Sequence, residues 1–166
     1  MKIIKKKTNQ LSKNEINKII KIKMKFWRYS LQNHHKWFKN KIKSNDIHFF
    51  IVTNSIKIYC CLRLRSFNYK KKKINFYYLD TLCSLKSHRY LVINFLSFVL
   101  KSTRNIFTIT LCSKEHLFLY EFFGFKKTKN IKILNHNIKN YYFLLNIPKN
   151  NVNRKILTKN KIELKI

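Results

Sequence analysis

Glycine and proline are almost absent from this chain, with one of each among 166 residues. Lysine, asparagine and isoleucine dominate instead, and this bias is typical of a very AT-rich genome because their codons are AT-rich. The single glycine, Gly124, follows an apolar segment with helical periodicity. A sequence with only one glycine is expected to keep it where φ must be positive. We therefore predict that Gly124 ends a helix in the left-handed conformation.

Acidic residues are equally scarce. The chain has 37 Lys+Arg against 6 Asp+Glu, which gives a formal net charge of +31. One interpretation is a protein that binds nucleic acid or another anionic surface. The other is compositional drift, because the lysines are spread over every segment and only Lys70–Lys73 forms a tight run. Even a drifted surface of this charge is expected to bind RNA weakly and in a salt-sensitive way.

Long apolar runs and metal-binding spacings are missing as well. The longest apolar run, Tyr90–Leu100, is broken by Asn94 and is far shorter than the ~20 residues that span a bilayer. Met1–Lys7 is too short and charged to begin a signal peptide. The histidines show no H-E-x-x-H spacing, so we expect no metal. These absences predict a cytoplasmic protein without a membrane partner.

The four cysteines lack C-x-x-C spacing, and all lie in predicted strands, which favours reduced, buried thiols. They are Cys60, Cys61, Cys83 and Cys112. An alternative is a nucleophilic thiol, with His88 near Cys83 or His116 near Cys112 as its base. For His34, His35 and His48, exposed helix positions or a core position are the alternatives to a metal site.

Hydrophobic residues make up 45% of the chain, which indicates a globular domain. The predicted strands are Met1–Thr8, Asp46–Thr53, Ile56–Phe67, Ile74–Ser84, Ile106–Cys112, Lys126–Leu134 and Tyr141–Ile147. The predicted helices begin at the caps Ser12, Ser30 and Ser113 and, for a helix apolar nearly all round and hence buried, at Tyr90. We predict a basic loop at Asn68–Lys73 and a short connection at Leu85–Arg89. This order predicts an α/β domain over residues 1–148, followed by a basic polar tail at 149–166 with little to bury.

Three strings, in their order and spacing, resemble the GNAT family of acyl-CoA-dependent N-acyltransferases. They are YLDTLCSLKSHR at Tyr78–Arg89, LCSKEHLFLYEFFGF at Leu111–Phe125, and DIHFF at Asp46–Phe50 preceded by Trp37 and Phe38. The resemblance covers Leu11 to Ile147. It implies a GNAT-like mixed central sheet of six to seven strands with about four flanking helices. It also implies acetyl transfer from acetyl-CoA to a primary amine by direct attack.

The resemblance also implies site residues. Tyr120 matches the tyrosine that protonates the leaving CoA thiolate, and Asp80 lies where acidic residues deprotonate the acceptor. The alternatives are a tyrosine that packs on the sheet and a buried aspartate bonded to a backbone amide or a lysine. Backbone amides at Leu82 and Cys83 would face the thioester carbonyl. Trp27, Trp37 and Phe38 would border the acceptor cleft or are simply core aromatics.

The CoA phosphate loop departs from the family pattern. The residues implied to bind CoA are Leu82, Cys83, Ser84, Arg89, Tyr90, Leu91, Val92 and Asn94. Arg89 matches the pattern, but Val92 and Asn94 replace small residues, and their Cβ atoms obstruct close approach of the phosphates. Either acetyl-CoA binds with reduced affinity, helped by Lys86 and Arg89, or its binding is lost. The leading hypothesis is an N-acetyltransferase. The alternative is a catalytically silent GNAT-fold protein that binds RNA or another polyanion, or serves as an interaction module.

Overall fold

The computed structural model describes residues 2–103, 106–133, 141–148 and 151–164. The strands are β1 Ile3–Lys7, β2 Ile47–Val52, β3 Ile56–Tyr69, β4 Lys72–Ser84, β5 Thr108–Cys112, β6 Lys126–Lys127, β7 Ile131–Ile133, β8 Tyr142–Asn146 and β9 Ile162–Leu164. The α-helices are α1 Lys13–Met24, α2 Leu31–Lys41, α3 Val92–Lys101, α4 Leu117–Phe122 and α5 Arg154–Lys159.

Seven strands form one mixed sheet in the order β1-β2-β3-β4-β5-β8-β6. β1 pairs antiparallel with β2, and β2 pairs antiparallel with β3. β4 and β5 pair in parallel, and β8 then runs antiparallel to both β5 and β6. A second, two-stranded sheet pairs β7 with β9 in parallel. The predicted α/β class with a mixed central sheet is confirmed.

The chain divides into two compact units. Unit 1 comprises Met1–Arg63 and Asp80–Val99, and unit 2 comprises Leu64–Leu79 and Leu100–Ile166. Each has its own apolar core. The core of unit 1 is formed by Ile19, Ile22, Ile42, Phe50, Ile56, Tyr59, Cys61 and Cys83. The core of unit 2 is formed by Ile74, Phe76, Tyr78, Phe107, Ile109, Ile131, Phe143, Leu145, Leu157, Ile162 and Leu164.

The predicted start of α1 is confirmed in detail. Ser12 Oγ accepts a hydrogen bond from the Glu15 amide at 3.2 Å, and Glu15 Oε2 accepts one from the Ser12 amide at 2.9 Å. This capping box satisfies two amides that the first helical turn leaves without partners. Ser30 likewise caps α2, because its hydroxyl accepts from the Asn33 amide at 3.2 Å.

The segment that precedes Gly124 differs from the prediction at its start and agrees at its end. Ser113 does not cap a continuous helix, since a 3-10 turn at Lys114–His116 precedes α4 and the Ser113 hydroxyl contacts His116 Nδ1 at 3.0 Å instead. Gly124 has φ of +78° and its amide donates to the Glu121 carbonyl at 2.9 Å. The predicted left-handed end of this helix is confirmed.

Three other predictions about elements are wrong. Residues 68–73 are not a loop, because β3 extends to Tyr69 and β4 begins at Lys72. The two residues between them, Lys70 and Lys71, have φ of 45° and 65°. The predicted strand Lys126–Leu134 is two short strands, β6 and β7, and Leu134 lies outside the described residues. α3 is not buried all round, since its residues Ile93 and Phe98 are 49% and 41% exposed. Tyr90, the predicted first residue of this helix, lies before α3 and is 73% exposed.

The C-terminal segment is not a polar tail with little to bury. Its described part, residues 151–164, contains α5 and β9. Leu157, Ile162 and Leu164 are buried in the core of unit 2. Three apolar residues at a spacing of five and two were too sparse against the surrounding lysines and asparagines to indicate a packed element. No helix within the described residues has the length and apolar character needed to cross a membrane.

Candidate functional site

Asp80 in unit 1 forms a buried ion pair. Arg63 Nη1 donates to Asp80 Oδ1 at 3.4 Å, and the Thr81 hydroxyl donates to Asp80 Oδ2 at 3.3 Å. The side chains of Arg63 and Asp80 are only 6% and 13% exposed. The sequence alternatives for Asp80 were bonding to a backbone amide or a lysine, and its direct partner is instead an arginine. The arginine and the Thr81 hydroxyl thus hold the two carboxylate oxygens of Asp80 in place.

Lys23 lies next to this ion pair and was not among the site residues predicted from the sequence. It is 6% exposed, and its Nζ donates to Thr81 Oγ1 at 3.1 Å. Because Thr81 in turn donates to Asp80, a continuous line of hydrogen bonds runs from the lysine amine to the carboxylate. Burial lowers the pKa of Lys23, since the charged amine loses its water, and the negative charge of Asp80 opposes that shift.

Two tryptophans flank the Lys23 amine. Its Nζ lies 3.2 Å from the ring centroid of Trp37 and 5.2 Å from that of Trp27. Trp27 and Trp37 were expected either to border an acceptor cleft or to be core aromatics. Here both rings face a buried primary amine. Lys23 continues the helical stripe of Ile16, Ile19 and Ile20 at i+3 and i+4, which indicates its face of the helix but not its enclosure by the two rings.

The rest of the predicted β4 site follows Thr81. Leu82 and Ser84 are half-buried, whereas Cys83 is buried in the core of unit 1. Burial raises the pKa of the Cys83 thiol to about 12, so this sulfur is a neutral thiol near neutral pH. The facing of the Leu82 and Cys83 amides towards a thioester carbonyl stays a prediction.

The cysteine–histidine pairs, considered as an alternative to buried thiols, are not supported by contacts. His88 Nδ1 contacts the Ser87 hydroxyl at 2.8 Å, and His116 Nδ1 contacts the Ser113 hydroxyl at 3.0 Å. Burial, with a smaller effect of Glu121, raises the pKa of Cys112 to about 11. All four cysteines are free and buried, as predicted for reduced thiols.

The residues implied to hold the CoA phosphates form a short helix. The connection predicted at Leu85–Arg89 is instead a 3-10 helix over Lys86–Leu91, which runs directly into α3. The His88 amide donates to the Leu85 carbonyl at 2.9 Å, and the Val92 amide donates to the Arg89 carbonyl. These two amides therefore already have partners within the segment.

Side chains of the same segment point largely to solvent. Arg89, Tyr90 and Asn94 are exposed, while Leu91 and Val92 are half-buried. Tyr90 stacks on His88, with ring centroids 6.4 Å apart. The side chain of Arg89 is exposed, whereas Val92 and Asn94 carry the Cβ atoms that glycine would lack.

Tyr120 belongs to unit 2. It lies in α4, is buried, and its ring meets the edge of Phe125 with centroids 5.5 Å apart. Its carbonyl accepts from the Phe123 and Phe125 amides, which fold the chain back around Gly124. This packing agrees with the structural alternative for Tyr120, and the acid role stays a prediction.

The histidines considered for metal binding have other partners. His48 is buried between the Phe38 and Tyr59 rings, and its two ring nitrogens contact Thr8 Oγ1 and Tyr59 Oη, each at 2.9 Å. Burial lowers the pKa of His48 to about 4. His34 Nε2 contacts the Trp27 carbonyl at 3.1 Å. Within the described ranges, no three His, Cys, Asp or Glu side chains are grouped as metal ligands would be.

Comparison with known proteins finds similarity in the fold but not in the sequence. No family model matches the sequence, and no curated protein matches it. Solved structures do match. YhbS, a GNAT family N-acetyltransferase from Escherichia coli solved in complex with CoA, is 10% identical, with 99% of this chain and 89% of YhbS covered at a TM-score of 0.67. The chain has the GNAT fold.

Two further GNAT-fold neighbours agree. An acyl-CoA N-acyltransferase from Pseudomonas aeruginosa is 9% identical, with 87% of this chain and 98% of the neighbour covered at a TM-score of 0.63. ElaA from Escherichia coli is 8% identical, with 87% and 97% covered at a TM-score of 0.64. The GNAT resemblance carried by the strings at Tyr78–Arg89 and Leu111–Phe125 is thus confirmed for the fold.

Proposed function

We propose that this chain is an N-acyltransferase that transfers acetyl from acetyl-CoA to a primary amine. The observation that carries the proposal is the match to CoA-bound YhbS over 99% of the chain. The hydrogen-bonded line from Thr81 to Asp80 supports it, because direct acyl transfer to an amine needs a nearby group that accepts the ammonium proton.

Each proposed site residue has a defined task. Asp80 accepts the amine proton, either directly or through Thr81, and Arg63 holds the carboxylate in place. The backbone amides of Leu82 and Cys83 stabilise the negative charge that develops on the carbonyl oxygen. Tyr120 gives its phenolic proton to the departing sulfur, a role for which a phenol is suited.

The segment proposed to bind the acetyl-CoA phosphates differs from a glycine-rich loop. We infer that Arg89, with Lys86 nearby, supplies positive charge to them, while Ser84, Tyr90, Leu91, Val92 and Asn94 line the donor. Since the His88 and Val92 amides are already bonded, fewer backbone donors remain for a pyrophosphate than in a glycine-rich loop. Acetyl-CoA binding is therefore expected to rest more on side-chain charge and less on backbone amides.

A second candidate function follows from that same observation. If the bonded amides, Val92 and Asn94 close the phosphate site, the fold serves as a basic binding module for RNA or another polyanion. The formal charge of +31 supplies the attraction. Its signature is binding that weakens steeply with salt and does not respond to acetyl-CoA.

The experiment compares Tyr120→Phe with the wild type in a CoA-release assay over a panel of primary amines. We expect turnover to fall by about 10²-fold or more, the usual contribution of a general acid, with the acetyl-CoA dissociation constant nearly unchanged. Tyr141→Phe, an exposed tyrosine of the same unit, is the matched control and should match the wild type. Equal loss of turnover and acetyl-CoA binding in Tyr120→Phe would reject the acid role.

A further inference from the structure

The amine of Lys23 is linked through Thr81 to Asp80, the proposed base. Its Nζ is 3.1 Å from Thr81 Oγ1, and Thr81 Oγ1 is 3.3 Å from Asp80 Oδ2. Thr81 lies between Asp80, the proposed base, and Leu82, a proposed donor to the thioester carbonyl. A primary amine of the chain itself therefore lies beside residues that are proposed to act on an acceptor amine.

Burial distinguishes this lysine from the others. Among the residues whose exposure the structure describes, Lys23 is the one buried lysine. Lys21 and Lys25 flank it on or next to the same helix and are exposed. The amine lies over the rings of Trp37 and Trp27, and the lysine is 6% exposed. A dry amine that can hand a proton to a carboxylate is a better nucleophile than a hydrated ammonium.

From this arrangement we propose that the chain acetylates itself at Lys23. The inference rests on the proposed function, because acetyl-CoA is the donor. Two further facts support it. Burial lowers the pKa of Lys23, so its ammonium releases a proton more readily than that of an exposed lysine. Acetylation also removes a charge that is unfavourable in a buried position.

The chemical step balances with the groups named. The ammonium of Lys23 first releases one proton through the Thr81 hydroxyl to Asp80. The Nζ lone pair then attacks the thioester carbonyl carbon, a C–N bond forms and the C–S bond breaks. The sulfur leaves with the bonding electron pair and takes up the second proton lost by nitrogen. The products are N-acetyl-lysine and CoA thiol, and Asp80 returns its proton to water.

The test incubates the full chain with acetyl-CoA alone in about 1 M salt, which screens nonspecific attraction to the lysines. Mass spectrometry of the digested chain then gives acetylation at Lys21, Lys23 and Lys25. We expect Lys23 to approach full occupancy at least tenfold faster than its two exposed neighbours. Acetylation at equal rates, or faster at Lys21 and Lys25, would overturn the inference, since it would reflect simple chemical reaction.

A pair of variants tests the proton route. Thr81→Val removes the hydroxyl at nearly constant volume, and it should slow acetylation of Lys23 at least tenfold. Thr81→Ser keeps the hydroxyl and should restore most of the rate. If Thr81→Val acetylates Lys23 as fast as the wild type, the route through Thr81 is wrong. Circular dichroism of both variants checks that each is folded.

Failure of the inference and failure of the proposed function give different results. If added primary amines are acetylated while Lys23 stays unmodified, self-acetylation is overturned and the acyltransferase stands. If neither an added amine nor Lys23 is acetylated and acetyl-CoA does not bind, both fall. Acetylation of Lys23 that persists at the same rate in urea-unfolded chain would overturn self-acetylation alone.

Discussion

At the scale of single residues, His48 links stability to pH. Its buried ring is bonded at both nitrogens, and burial lowers its pKa from 6.5 to about 4, with Lys23 acting in the same direction and Asp46 against it. Above pH 6.5 the ring is neutral in both the folded and the unfolded chain, so protonation of His48 does not reduce the free energy of unfolding. Between pH 6.5 and pH 4, His48 is protonated in the unfolded chain but neutral in the folded chain. The free energy of unfolding therefore falls as the pH falls through this range.

We therefore expect the free energy of unfolding to fall by about 2 kcal/mol between pH 7 and pH 5 from His48 alone. Urea unfolding at the two pH values measures it. His48→Gln should remove that part of the pH dependence, whatever it does to stability at pH 7. His35→Gln, at an exposed position of α2, should keep the wild-type dependence. Equal pH dependence in His48→Gln and the wild type would contradict this account.

Gly124 gives a second prediction at this scale. A Cβ built there would meet only Asn146 Nδ2, at 3.7 Å, so space is available and the positive φ of 78° is the constraint. Gly124→Ala should lower the free energy of unfolding by about 1–2 kcal/mol, because an L-residue is disfavoured at this φ. Gly124→Asn should lower it less, since asparagine tolerates the left-handed region. An alanine variant as stable as the wild type would show that the turn can relax.

Gly124 was predictable and Lys23 was not. A single glycine after an apolar helical stripe is expected to end the helix, so its positive φ could be predicted from the sequence alone. Lysine on such a stripe normally lies at the solvent edge with its stem buried. Only the meeting of Trp27, Trp37 and Thr81 around Nζ, from residues up to 58 positions apart, encloses it. Contacts of that kind leave no local signal.

At the scale of elements, the C-terminal segment contributes to the core of unit 2 although its composition is basic. Leu157 of α5 is fully buried beside Ile162 and Leu164 in the core of unit 2. Leu157→Ala should lower the free energy of unfolding by about 2–5 kcal/mol, as for other buried leucines. Val152→Ala is the control, because Val152 is 85% exposed and should change stability by less than about 0.5 kcal/mol. Equal, small effects of the two would mean that the segment does not pack.

α3 and the segment before it were predicted in position but not in surroundings. The apolar run located the helix within two residues, yet Ile93 and Phe98 proved exposed because only one side of α3 faces the core. Likewise, the resemblance implied a phosphate loop at Arg89 to Asn94, whereas these residues lie in the end of a 3-10 helix, Lys86–Leu91, and the start of α3. Without glycine to hold an open loop, hydrogen bonding within the segment is the favoured outcome.

At the scale of the whole molecule, the GNAT fold is shared with proteins at 8–10% identity. The order of elements and the apolar pattern were enough to predict the mixed sheet, since these follow from burial rather than from particular residues. The proposed acetyl-CoA site could not be predicted as firmly, because its donor affinity would depend on the backbone of one short segment. The +31 charge also attracts any polyanion, CoA included.

The measurement that tests the acyltransferase account most directly is isothermal titration calorimetry of acetyl-CoA in about 1 M salt, where the Debye length is about 3 Å. We predict one-to-one binding in the micromolar range that survives the salt, and that weakens when Arg89 is replaced by Ala but not when the exposed Arg154 is. Absence of binding at high salt, with binding at low salt that any polyanion displaces, would contradict the account and favour the polyanion-binding module.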